Sequence, residues 1–190
     1  MPRAAARVAV TFLALVATAA AFGAERGRSS PQATSALSES TKYISKRYGY
    51  EIVLRGRYYI VPAQRQWDGS FPFGASGQVD LIGDYTLDRK FIVAAKPVPS
   101  GMSLSRWEAF VVRLQRSFCH GLRNFRASSL GGEPAREFVN SCPASPEYKV
   151  ITLAALHKGR GYLLNYVSVP KYSDRRMYEA GRRAFRFTDR

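Results

Sequence analysis

Hydrophobic and polar positions along this chain repeat with two different periods, and the change from one to the other marks its elements. Residues 48–54 and 58–61 are short runs rich in aromatic and β-branched side chains, which predicts two strands. Gly56 between them suits a tight reversal, and Pro62 ends the second. Residues 62–77 fit neither a period of 2 nor one of 3.6 and are expected to form a loop. Residues 78–86 and 90–96 predict an antiparallel hairpin, because only Leu87-Asp88-Arg89 joins them. Over 104–120 the period changes. Trp107, Phe110, Val111, Leu114 and Phe118 recur at helical spacing and make one apolar stripe. Ser105 and Glu108 have the spacing of a capping box, and Gly121 stands where a C-terminal cap is expected.

Alternation returns after that helix. Residues 125–130 and 133–141 flank Gly131-Gly132, a pair suited to a two-residue hairpin turn. Residues 149–157 and 161–169 flank Lys158-Gly159-Arg160, a further hairpin. These last two strands are apolar on both alternating faces, so both faces must be covered. Asp174 can cap a second helix over 175–185, with Met177, Tyr178, Gly181, Ala184 and Phe185 inward. The expected fold is α+β: an antiparallel sheet of roughly six to eight strands, built from hairpins, with helices on its faces.

Residues 1–24 read as an address. Arg3 and Arg7 form a positive start, residues 8–22 are an apolar and small-residue run, and Ala21-Phe22-Gly23 offers a cleavage site. The run is shorter than the roughly 20 residues that span a bilayer, so cleavage is expected, with an uncleaved anchor as the alternative. Once cleaved, the chain is not expected to be an integral membrane protein. No Cys lies near this region to carry a lipid. Residues 25–42, rich in Ser, Ala, Thr, Gly and Arg, read as a flexible leader, and 43–190 as a single domain. The excess of Arg over Lys, with abundant Ala, suggests a high-GC bacterial source. The expected location is secreted, outside the cytoplasm.

Four segments carry a family resemblance. They are Tyr48-Gly49-Tyr50-Glu51-Ile52 at the domain start and Gly131-Gly132-Glu133-Pro134-Ala135-Arg136-Glu137-Phe138 in the middle hairpin. They continue in His157-Lys158-Gly159-Arg160-Gly161-Tyr162-Leu163-Leu164 and close on Phe185-Arg186-Phe187. In order and spacing these resemble the PsbP-like fold of the photosystem II extrinsic P protein, its bacterial relatives and a Ran-binding nuclear import factor. The resemblance spans 43–190 and implies an α/β/α sandwich with helices on both faces. Where family members often have Pro-x-x-Trp, this chain has Tyr58-Tyr59-Ile60-Val61-Pro62, with Trp67 further on. The resemblance implies no catalytic residues, because proteins of this fold mostly serve as binding and assembly modules.

Composition narrows the chemistry. There are two Cys and two His in 190 residues, too few for a four-Cys zinc site or a His-rich metal centre. No phosphate-loop or dinucleotide glycine motif occurs, so neither a metal nor a cofactor is expected. Cys119 and Cys142 are expected to form a disulfide, given the oxidising compartment. The material for a hydrolase is His120, His157 and the pair Asp80 and Asp84, with dispersed Ser. An extracytoplasmic hydrolase assembled from them is the alternative to a non-enzymatic binding module.

Charge is the strongest signal outside the core. The chain carries +15, and loss of Arg3 and Arg7 with the leading segment lowers this by two. Arg175, Arg176, Arg182, Arg183 and Arg186 cluster on the last helix, with Lys158 and Arg160 at a hairpin tip. They form a candidate face for an anionic envelope polymer, or else a solvated exterior. Replacing the five helix arginines is then expected to leave the fold intact. Tyr178 and Phe185 are assigned to the core, which argues against sequence-specific nucleic-acid binding. A second candidate is the loop with Arg65, Trp67, Asp68, Phe71 and Phe73, either a contact patch for a partner protein or a satellite core.

Overall fold

The computed structural model describes residues 39–72, 77–85, 88–143 and 147–188. The expected signal segment 1–24, residues 25–38 of the expected leader, and Phe73 lie outside them. In chain order the elements are β1 (Ser40–Ser45), β2 (Tyr50–Arg55), β3 (Tyr58–Val61), β4 (Asp80–Asp84) and β5 (Arg89–Pro97). Helix α1 (Leu104–Arg116) follows, then β6 (His120–Leu130), β7 (Glu133–Cys142), β8 (Tyr148–His157) and β9 (Arg160–Ser168). A single 3₁₀ turn (Pro170–Tyr172) leads to α2 (Arg175–Ala184) and the two-residue β10 (Arg186–Phe187).

Seven strands form one antiparallel sheet in the order β3-β4-β5-β9-β8-β7-β6. The two strands that are apolar on both faces, β8 and β9, lie side by side in its middle, with Thr152 opposite Asn165 and Leu153 opposite Leu164. Their double-sided burial has two different covers. Over one face lies α1, where Trp107 sits against Gly161. A Cβ at Gly161 would come within 2.6 Å of the Trp107 ring, so the close approach requires glycine there. The Trp107 indole N–H donates to the Tyr162 carbonyl at 2.9 Å. Over the other face lie α2 and a second sheet of order β1-β2-β10. Tyr50 of β2 stacks on Phe185 at 4.7 Å, and Tyr178 of α2 lies beside Tyr166 of β9. The expected antiparallel sheet with helices on both faces is therefore present.

The helix caps and strand pairings differ from expectation in definite ways. The N-cap of α1 is Ser103, whose side chain accepts from the Arg106 N–H, and Glu108 instead reaches Arg136 at 3.4 Å. The helix ends at Arg116, three residues before the disulfide, and Gly121 lies inside β6 with φ 63°. The strands β2 and β3 do not form a hairpin. At Gly56, φ 105°, the chain leaves one sheet and enters the other. Its partner β1 begins at Ser40, inside the stretch expected to be leader, and pairs with β2 from Ser40–Arg55 to Ser45–Tyr50. Asp174 caps α2 as expected, accepting from the Arg176 N–H at 2.8 Å.

Gln115 occupies a stripe position of α1 and is fully buried. Its side-chain amide donates to Asn165, and its carbonyl oxygen accepts from Asn140 at 3.0 Å. Thr152 donates to the same Asn165 oxygen at 2.9 Å. This polar cluster fixes how α1 sits on β7, β8 and β9, since each buried polar group needs its partner. At the sheet edge, β6 is exposed over most of its length. Two register shifts interrupt its pairing with β7, and Asn124 takes a φ of 57°. Such bulges blunt an edge that would otherwise template another strand.

Candidate functional site

Of the five helix arginines, two are committed to the fold. Glu137 on β7 points inward from a strand face otherwise held by Ala135 and Val139, and it is 1% exposed. Burying a carboxylate there requires partners. Arg126 of β6 gives it a two-pronged pair of bonds at 2.9 Å each. Arg175 of α2 donates at 2.8 Å, and the Tyr178 hydroxyl at 2.7 Å. Beside this, Glu179 accepts from Arg182 at 2.9 Å, and both Arg126 and Arg175 reach it at 3.3 Å. Burial and the Glu137 bond push the Tyr178 phenol far above its ordinary range. The expectation that all five arginines could be replaced without disturbing the fold is corrected here. Arg175 and Arg182 join α2 to the sheet.

The remaining three are differently placed. Arg176, Arg183 and Arg186 are exposed and have no carboxylate within ion-pair reach among the described residues. Arg182, Arg183 and Arg186 rim a recess of about 350 Å³ whose other wall is Ser129, Gly131 and Gly132. The sequence placement explains the convergence. Phe185 and Phe187 turn inward around Gly131, where a Cβ would meet the Phe187 ring at 2.7 Å, so Arg186 between them faces outward. The Arg182 guanidinium donates to the Ser129 carbonyl at 3.1 Å, and Arg186 donates to the Phe185 carbonyl at 2.7 Å and to the Arg183 carbonyl.

The hairpin cations belong elsewhere. Lys158 and Arg160 line a different recess with Val98, Met102 and His157. Arg160 donates to Gln66 at 3.0 Å and lies over the Tyr48 ring. The single basic face expected from sequence is thus two separate places.

The described part of the 62–77 loop packs on itself and on α1. Trp67 is 1% exposed, edge-on to Trp107 at 6.3 Å, and its N–H donates to the Ser70 carbonyl. Phe71 stacks on Phe118 at 4.4 Å. Asp68 accepts from the Ser70 N–H at 2.7 Å and from the Gln78 amide at 3.1 Å, which draws its carboxyl down to about 2. Among the described residues of this set, Arg65 is exposed and makes no side-chain hydrogen bond. Of the two readings of this loop, its described part is a satellite core.

Cys119 and Cys142 are joined in a disulfide, as expected. The hydrolase material is not brought together. His120 pairs at 3.0 Å with Glu147, both largely exposed. His157 bonds Glu133 at 2.8 Å and stacks on Phe187. His120 is in register with Ser141 and so with Lys149, eight residues from His157 along β8. At roughly 3.3 Å per residue that separates the two histidines by about 26 Å. Asp80 is buried and accepts from Tyr43, Tyr50 and the Ala63 N–H, whereas Asp84 pairs with Arg89. Among the described residues no group of three or more His, Cys, Asp or Glu could hold a metal ion.

A scan against protein-family models finds no match, and a search of the curated proteins finds none. Solved structures share the fold. The solution structure of cyanobacterial PsbP (CyanoP) from Synechocystis sp. PCC 6803 superposes with a TM-score of 0.58 at 13% identity. It covers 81% of this chain and 95% of that one. LpqN of Mycobacterium tuberculosis, described as involved in cell envelope biogenesis, gives 0.52 at 11% identity over 80% and 91%. The fold is PsbP-like. No helix among the described residues is long and apolar enough to cross a membrane.

Proposed function

We propose that this protein is an extracytoplasmic, non-enzymatic binding module that engages an anionic partner of the bacterial envelope through the exposed arginines of α2 and β10. One observation carries this reading. Arg176, Arg183 and Arg186 stay exposed and without a carboxylate partner among the described residues, while their neighbours Arg175 and Arg182 are held by Glu137 and Glu179. Among the described residues Glu137 and Glu179 take up Arg175 and Arg182, and no carboxylate takes up these three. The disulfide fits a compartment outside the cytoplasm. The description of LpqN, a protein of similar fold, points to the envelope.

The test is retention on immobilised poly(glycerol phosphate). The protein is expected to bind weakly and to elute as salt rises, because surface charges act over only about 8 Å at physiological ionic strength. Arg176→Gln, Arg183→Gln and Arg186→Gln together should remove retention with an unchanged circular dichroism spectrum. Retention that survives this triple substitution would overturn the assignment.

A further inference from the structure

We infer that the recess between the Gly131-Gly132 hairpin tip and the end of α2 seats a single phosphate group of such a polymer. The inference rests on the reading above and makes it local: one seat rather than a diffuse positive surface. Three arginines, Arg182, Arg183 and Arg186, line one opening. Two of them are already held in place. Arg182 is bonded to Glu179 and to Ser129, and Arg186 to the carbonyls of Arg183 and Phe185. A guanidinium fixed before the ligand arrives loses little freedom on binding. The Arg182 fork is taken by Glu179, so Arg182 shapes the rim, while Arg183 keeps a planar fork able to match phosphate oxygens two at a time.

The opposite wall adds room without adding charge. Both turn residues are glycines at positive φ, 59° and 93°, and a Cβ on Gly132 would meet nothing within 4 Å. The turn itself therefore places no side chain towards the arginines, and the hairpin meets them only through Ser129, whose hydroxyl accepts from Arg182 at 3.2 Å. Gly131 is pinned from below by Phe185 and Phe187, so this wall does not drift. About 350 Å³ accommodates a phosphate and the ends of the units it links. The lining residues carry three positive charges, and the one carboxylate bonded to them is Glu179, on Arg182.

The source is a soluble polymer rather than a lipid headgroup. Among the described residues the exposed large hydrophobic ones are Ile44, Val53, Val61, Tyr85, Phe118 and Phe125, and none lines the recess. A headgroup site is ordinarily rimmed by apolar side chains that enter the bilayer.

The experiment titrates the isotope-labelled exported protein with inorganic phosphate at pH 8 and follows amide and arginine Nε signals. Saturable shifts confined to residues 129–132 and 182–186 are expected. Arg183→Gln and Arg186→Gln should each weaken phosphate binding about tenfold, the lower range for a charge-assisted bond. Poly(glycerol phosphate) should compete, and phosphatidylglycerol vesicles of equal phosphate content should bind less tightly. Shifts that never saturate, or that spread over Arg65, Arg113 and Arg116 equally, would overturn the single seat. Tighter binding to the vesicles would overturn the polymer source. If the polymer column still retains the protein through Arg176, Arg183 and Arg186 while these signals do not move, the seat is wrong and the broader function stands. Loss of both removes both.

Discussion

The Tyr178 hydroxyl donates to Glu137 at 2.7 Å, and through this bond α2 is anchored to the buried face of β7. Tyr178→Phe deletes a bond to a charged acceptor and should cost about 2 kcal/mol. Glu137→Ala should cost more, because the Tyr178 hydroxyl and two arginines lose their common acceptor at once. Urea denaturation of both variants checks the order. Equal stability of the Glu137→Ala variant and the parent would show the cluster to be incidental.

Gly181 is a helix residue whose replacement by Ala would ordinarily gain up to about 1 kcal/mol from backbone entropy. Here the added Cβ would overlap the Phe91 ring. Overpacking of a well-filled core costs about 1–3 kcal/mol, so packing wins and the net change is destabilising. Thermal melting of Gly181→Ala should therefore occur a few degrees lower, at about 2–4 °C per kcal/mol for a chain of this size. A higher melting temperature would contradict the close approach of α2 to β5.

The disulfide closes a loop with a sequence separation of 23. On the chain-entropy account, removing it by Cys119→Ala with Cys142→Ala should cost about 3 kcal/mol. Mass analysis of the protein isolated without reductant should find the two residues joined. Two alkylatable thiols would refute the pairing.

Asp68 contributes stability that depends on acidity. Its folded-state carboxyl is drawn down to about 2 by the bonds from Ser70 and Gln78, below the ordinary value of 3.8. The contribution is present above pH 4 and is lost as pH falls through about 2. A carbon-13 titration of the Asp68 carboxyl should show the low midpoint, and Gln78→Ala should raise it. A midpoint near 4 in the parent would mean that the loop bonds are absent in solution.

Alkali should act in the opposite sense. Burial and the charge of Asp80 push the Tyr48 phenol up to about 12 and raise Tyr43 and Tyr50 as well. Neutral phenols favour the fold, so stability is intact below pH 10 and falls as pH rises towards 12. Absorbance at the phenolate band should show these tyrosines ionising together with loss of circular dichroism. Their ionisation near pH 10 with the fold intact would contradict their burial.

Much of the main sheet was legible because β8 and β9 are apolar on both alternations, a pattern that only a strand covered twice explains. The stripe of α1 was legible for the same kind of reason, with Trp107 and Val111 buried as its spacing requires. Gln115 was not, since a polar residue beside a stripe reads as surface until its partners Asn140 and Asn165 are known. The strand β1 was missed because Ser40-Thr41-Lys42 looks like leader and is ordered only by pairing with β2. Trp67 lies in a segment without periodicity, so its burial depends on the distant Trp107 ring. The arginines of α2 read as one charged run because their division depends on acids far away in sequence. One signal for that division was available: Glu137 is a charged residue flanked on its strand face by the apolar Ala135 and Val139.

The bond between Cys119 and Cys142 has a topological consequence. Cys119 immediately precedes β6 and Cys142 is the last residue of β7, so the bond converts the hairpin into a covalent ring. One end of the ring is the Gly131-Gly132 turn and the other is the disulfide. An edge strand held at both ends cannot peel away to be replaced by its counterpart from another copy. Exchange of β6 between molecules is therefore open to the reduced chain, and closed once the ring has formed.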